Sequence, residues 1–197
     1  MDIKDPIEKP DEELAILALD NQEFFYYLMK RYEKRLLSYI LHISNFSLGD
    51  AEDVLQEVFI KTYKNLRAFD KSLKFSSWIY RIAHNETISE YRKKKASAST
   101  ISLDDKDTEI IMKSLKSSHD IKEDLHKKDI KEKVREVIYA LPAKYREVLM
   151  LRYIEDKDYQ EISDILKKSM GTVSTLVSRA HKHFKKEAQK RKLNMLI

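Results

Sequence analysis

Apolar residues recur three and four positions apart along most of this chain, and glycine, which would interrupt that rhythm, occurs only twice in 197 residues. In GDAEDVLQEVFIKTYKNL, residues 49–66, one continuous stripe of a helix takes Ala51, Val54, Leu55, Val58, Phe59, Thr62, Tyr63 and Leu66. A period of two, the mark of a half-buried strand, is sustained nowhere. With three prolines besides the two glycines, few residues are left for hairpin turns. The fold class is all-α. The same stretch raises a functional question, because Glu52, Asp53, Gln56 and Glu57 crowd the first turns of a helix in a chain of net charge +5.

Four helices can be read in the first half. Asp11–Leu19 is short, and Gln22–Ile43 carries Phe24, Phe25, Leu28, Tyr32, Leu36 and Ile40 along one side. The third follows Gly49-Asp50, with Asp50 as its expected N-cap. The fourth spans Ser76 to Lys94; its apolar stripe opens with Phe75, Trp78, Ile79 and Ile82 and then meets Asn85, Glu86 and Ser89. The second half of that helix is therefore expected to leave the core and face a partner. From Ala96 to about His119 the periodicity fails in a small, polar, locally acidic stretch, read as a flexible linker. Periodicity returns with Ile130, Val134, Val137, Ile138 and Leu141 and stops at Pro142. The organisation is an acidic N-terminal segment (1–20), a helical domain (21–95), the linker (96–120) and a second helical domain (121–197).

Charge is distributed unevenly over these parts. Residues 1–23 hold eight carboxylates against Lys4 and Lys9, whereas from Lys167 onward nine lysines and arginines face Glu187 alone. A cationic end of this kind fits a polyanion; a solvated lysine-rich tail is the alternative. The chain has no cysteine, so disulfides and thiolate metal sites are excluded. No apolar run approaches the ~18 residues that cross a bilayer, and no secretory signal opens the sequence, so a cytoplasmic location is expected. A Gly-rich phosphate loop, metal-spaced His clusters and a His beside a nucleophile are all missing. Neither an enzyme nor a metal, cofactor or small-molecule substrate is expected.

The second half holds a more specific pattern. Tyr145, Val148 and Leu149 mark one helix. Asp158 can cap a short helix with Glu161 as capping-box partner, and Ile162, Ile165 and Leu166 form its inner face. Lys167-Lys168-Ser169 makes a tight turn, and Ser169 can cap a last helix whose Val173, Val177, Ala180 and Phe184 point inward. Thr175, Ser178, Arg179, Lys182, Lys185 and Lys186 then lie on or near its outward side. Two helices, a short turn, and hydroxyls and cations outward describe a helix-turn-helix. His181 and His183 flank Lys182 there and read as phosphate neighbours.

In order along the chain, DAEDVLQEVF, FSSWIYRIAHNETISEYRKK, LPAKYREVLMLRYIEDKDYQEIS and GTVSTLVSRA resemble bacterial sigma factors of the extracytoplasmic-function type, which keep two of the four conserved sigma regions. The resemblance runs from about Phe24 to Phe184. It implies a sigma region 2-like bundle and a sigma region 4-like helix-turn-helix that bind core RNA polymerase and promoter DNA. The implied protein surfaces are the clamp helices of the largest subunit and the flap of the second largest, and an anti-sigma protein is a further implied partner. Asp53, Gln56 and Glu57 would meet the clamp; the plainer reading is complementation of the helix dipole, about 0.3–1 kcal/mol per carboxylate.

For the unwound minus-ten strand the resemblance offers Trp78, Tyr80, Arg81, Asn85, Arg92, Lys93 and Lys94, since aromatic faces stack on bases and cations follow phosphates. Trp78 also belongs to the apolar stripe, which assigns it to the core instead, and Arg81 can simply brace its helix. For the minus-thirty-five duplex it offers Thr172, Ser174, Thr175, Ser178, Arg179 and Lys182. The acidic linker residues Asp104, Asp105, Asp107 and Glu109 would lie along the RNA path, or merely keep a spacer soluble. Relatives often carry Lys-Ser-Arg where this chain has Ser174-Thr175-Leu176, and a cation at His181, so the promoter sequence read is open. The competing function is a self-standing helix-turn-helix regulator. Against it stands the N-terminal half, which matches sigma regions and no ligand-sensing domain.

Overall fold

The computed structural model describes residues 8–44, 46–97, 133–134 and 136–191, and every regular element among them is helical. Of the expected linker only Ala96 and Ser97 are described, as the end of a helix. Asp104, Asp105, Asp107, Glu109, Ile130 and Lys192 lie outside the described residues. The chain divides into two compact units; the described residues of the first end at 97 and those of the second begin at 133.

In the first unit, α1 (Asp11–Leu17), α2 (Glu23–Ile43), α3 (Leu48–Lys64) and α4 (Phe75–Ser97) pack around one core, with a 3-10 turn at Leu66–Ala68. The α2 residues Leu28, Tyr32, Leu36, Tyr39 and Ile40 are at most 1% exposed, the three-four spacing of a helix buried along one side. Aromatic rings fill much of the interior: Tyr80 meets Tyr39 at 5.2 Å and Tyr32 at 6.4 Å between centroids, and Phe75 meets Tyr32 at 5.8 Å. Edge-to-face pairs of this kind add to the burial of their area. The buried hydroxyls of Thr62 and Thr87 each donate to a carbonyl four residues earlier at 2.7 Å, so neither is left unsatisfied.

The acidic N-terminal segment does not stand apart from this bundle. Leu14, Ala15 and Ala18 are buried, Asp11 pairs with Arg31 at 2.5 Å, and the Tyr32 hydroxyl donates to the same carboxylate. Burial, with the Asp11 charge beside it, holds the Tyr32 phenol far above the ordinary range. Glu12 accepts a hydrogen bond at 2.8 Å from the Phe75 amide, one of the free donors at the start of α4. Helix α1, which the expected domain start at residue 21 left out, therefore packs as part of the first unit.

Helix α3 also starts earlier than expected. Ser47 is its N-cap, accepting from the Asp50 amide at 3.2 Å, so Asp50 sits in the first turn. The serine has the extended backbone a cap needs, with ψ of 163°. Asp50 is released to pair with Lys94 at 2.5 Å, and Lys61 pairs with Glu86 at 2.6 Å; these two ion pairs tie α3 to α4.

In the second unit, residues 133–134 and 136–139 are helical and Leu141-Pro142 ends that element. Then come α5 (Ala143–Leu149), a π-helical turn (Met150–Ile154), α6 (Tyr159–Leu166) and α7 (Met170–Lys190). Val148, Leu151, Ile162, Ile165, Val173, Val177 and Ala180 are at most 1% exposed and form the core. The capping box of α6 is complete: Glu161 N–H donates to Asp158 at 2.8 Å, and Asp158 N–H donates to the Glu161 carboxylate at 3.0 Å. Lys167 closes α6 with φ of 52°, and Ser169 caps α7 by accepting from Thr172 N–H at 3.3 Å. Glu161 also faces Lys157 across 3.6 Å, and the buried lysine is thereby neutralised.

Candidate nucleic-acid interface

Asp53, Gln56 and Glu57 are exposed on α3, on the side away from buried Ala51, Val54, Leu55 and Val58. Asp53 and Glu57 open onto a groove between α3 and α4 that also takes Asp50, Lys61, Glu86, Glu90, Lys93 and Lys94. Gln56 is exposed but does not line it. Glu86 and Glu90, which the sequence reading did not assign to this face, join it from the neighbouring helix. Their spacing of four marks a shared helix side, but only the tertiary pairing shows that this side faces α3.

The α4 residues divide in three. Tyr80 is fully buried among Tyr32 and Tyr39, and Trp78 is 8% exposed against Phe69 and Phe75 at 5.3 and 5.7 Å. Tyr80 corrects the expectation of a base-stacking platform, since its ring is sealed within the core. Trp78 takes the core role that its neighbours in the stripe implied. The buried side of α4 continues through Ile79, Ala83 and Thr87, not through Ile82 and Glu86, so the bundle follows this helix further than expected.

A second set, Arg81, Asn85, Ser89 and Arg92, recurs at steps of four and three on one open side, with Asn85, Ser89 and Arg92 exposed. The basic run is split because each successive residue turns ~100° around the axis. Arg92 falls on the Asn85 side, whereas Lys93 and Lys94 line the groove toward α3. Lys94 pairs with Asp50, lies 5.1 Å from the centroid of the Phe46 ring, and is the least exposed of the three. Its hydrogen bond to Asp50, reinforced by Ser47, holds that carboxyl below the ordinary aspartate range.

On α7, Thr172, Ser174, Thr175, Ser178, Arg179 and Lys182 are all exposed. Two of the hydroxyls have local partners: Thr172 meets the capping Ser169 Oγ at 2.9 Å, and Thr175 donates to Gly171 O at 2.8 Å. Leu176 is half-buried at the flank. Two tyrosines reach this helix from the preceding segment. Tyr145 stacks on His183 with centroids 4.5 Å apart, and Tyr153 makes a 2.7 Å hydrogen bond to His181. Among the described residues no cluster of His, Asp or Glu has the arrangement of a metal site, and no helix is long and apolar enough to cross a membrane.

The chain thus combines a helical bundle that has an acidic α3 face with a helix-turn-helix whose two helices, α6 and α7, are both N-capped. Two family models match those parts: Sigma-70 region 2 over residues 28–97 and Sigma-70, region 4 over residues 131–184. Over 149 residues the chain is 36% identical to the ECF RNA polymerase sigma factor SigW of Bacillus subtilis, covering 72% of this chain and 76% of that one. It is 33% identical to SigM of the same organism over 68% of this chain and 77% of the relative. The ECF RNA polymerase sigma-E factor of Escherichia coli is 27% identical over 86% and 88% of the two chains. In fold it is similar to CnrH, solved in complex with the cytosolic domain of CnrY, with a TM-score of 0.64 at 21% identity over 91% of this chain and 97% of that one. The chain belongs to the ECF RNA polymerase sigma factors, which direct promoter recognition and transcription initiation.

Proposed function

We propose that the α3 face carrying Asp53, Gln56 and Glu57 docks on the clamp helices of core polymerase. In the same scheme Asn85 and Arg92 hold the unwound minus-ten strand, and the outward side of α7 reads the minus-thirty-five duplex. The observation that carries this reading is the sidedness of α7: Val173, Val177 and Ala180 are at most 1% exposed, while Thr175, Ser178, Arg179 and Lys182 all stand open. A helix held that way offers hydroxyls and cations together to a groove and its phosphate walls. Lys93 and Lys94 act from the α3 side of α4, so they contribute less to strand binding than Arg92.

The chain supplies no chemistry of its own; bond formation belongs to the polymerase. It works in the cytoplasm and is held there by an anti-sigma protein. RpoE of Bartonella quintana, solved with the anti-sigma factor NepR, is similar in fold at a TM-score of 0.60. In vitro transcription with purified core tests the proposal. Adding the chain should give a defined transcript from a promoter that core alone ignores, and Arg179→Ala should reduce it. Transcription no different from core alone would refute it.

A further inference from the structure

We infer that Tyr153 and His181 form a paired contact for a DNA backbone phosphate beside the recognition helix, with Tyr153 as the positioning residue. Tyr153 stands on the π-helical turn, 56% exposed, and its hydroxyl lies 2.7 Å from His181 Nε2, the ring centroids 5.5 Å apart. His181 is exposed as well. A hydrogen bond between two groups that water would otherwise satisfy contributes little to folding. The contrast with its neighbour is informative: Tyr145, which stacks on His183, is only 7% exposed and packs as part of the core.

His181 also continues a regular polar row. Ser174, Ser178, His181 and Lys185 recur at steps of four, three and four, and all are exposed. The row runs along the flank of the outward side, where a helix lying in a major groove meets a phosphate wall. When the Tyr153 hydroxyl donates to Nε2, the ring proton stands on Nδ1, and the imidazole keeps an N–H to give to a phosphate oxygen. The same bond fixes the ring plane, so Tyr153 sets both tautomer and orientation. The pair belongs to the π turn as much as to α7, and a phosphate bound there registers both of these elements on one strand.

The inference rests on the reading that α7 faces duplex DNA, and one experiment separates the two. Holoenzyme made from core and the full chain is bound to a promoter duplex selected from a random library by the parent, with methylphosphonate placed at one backbone position at a time. Tyr153→Phe, which keeps the ring and removes the hydroxyl, should weaken binding about threefold to tenfold, the scale of one hydrogen bond. His181→Ala should cost the same, and the double variant no more than His181→Ala alone. Neutralising one particular phosphate should weaken the parent by that factor and leave both variants unchanged. His181→Arg should make Tyr153→Phe silent, because a guanidinium needs no tautomer set for it. The inference is overturned if Tyr153→Phe binds like the parent, if its loss adds to that of His181→Ala, or if no single phosphate removes it. Arg179→Ala serves as the control: if it too is silent, the groove-facing reading of α7 fails, whereas an effect there with a silent Tyr153→Phe removes only the pair.

Discussion

Tyr80 and Asn85 are five residues apart on α4, and both are side chains that can meet a base, yet one is sealed in the bundle and the other is open. Removing the Tyr80 ring should cost about 3–5 kcal/mol, as large-to-small changes of buried aromatics do. Thermal unfolding of Tyr80→Ala should show that loss. Asn85→Ala should leave the melting temperature unchanged and alter preference at one minus-ten base, scored by permanganate reactivity of unpaired thymines. An unchanged preference would remove Asn85 from strand readout. Asp50 offers a pH test: its folded-state carboxyl is depressed by Lys94, so its contribution is present above the ordinary aspartate pKa and fades as the pH falls through the folded value. Between about pH 5 and about pH 3 the parent should lose more melting temperature than Asp50→Asn. The difference will be small, because Asp50 and Lys94 side chains are 38% and 39% exposed and solvent screens them.

At the scale of elements, α3 and α7 present the two proposed contact faces, and their N-caps fix where each helix starts. The Asp158–Glu161 box and the Ser169 cap were legible in the sequence because each joins residues three apart, within reach of local pattern. Ser47 was not, since Gly49-Asp50 is an equally good local start and only packing decides between them. Tyr80 was misassigned for a related reason: the stripe on α4 drifts from Trp78 and Ile79 to Ala83 and Thr87 to follow its neighbours, and a polar Thr hides that course. The role of Glu12 at the start of α4 joins residues 63 apart, which no local pattern reports. The triple change of Asp53, Gln56 and Glu57 to Ala should lower core affinity at least about tenfold, consistent with several charged contacts each worth a part of that. Helical content should hardly move, because all three lie off the buried stripe. Leu176, half-buried at the flank of α7, can touch a thymine methyl but cannot pair with guanine as arginine does. Leu176→Arg should shift a promoter-library selection toward guanine at one position by ~1–3 kcal/mol. Identical preferences in parent and variant would show that Leu176 lies away from the bases.

For the whole molecule, the division into two helical units was legible because the periodicity stops and restarts, and each restart carries its own motif. What the sequence concealed is tertiary: the joining of α1 to the first bundle, the split of the basic run between two sides of α4, and the tyrosines laid against α7. In the proposed scheme the chain is a subunit whose two DNA-contacting units act together only once core polymerase holds both, which raises the effective concentration of the second contact after the first has formed. Footprinting on one promoter, with the isolated chain and with the chain bound to core, tests this most directly. Weak, unspecific protection by the chain alone and sharp protection over both promoter elements with core are expected. Specific nanomolar protection of a single site by the isolated chain would contradict it.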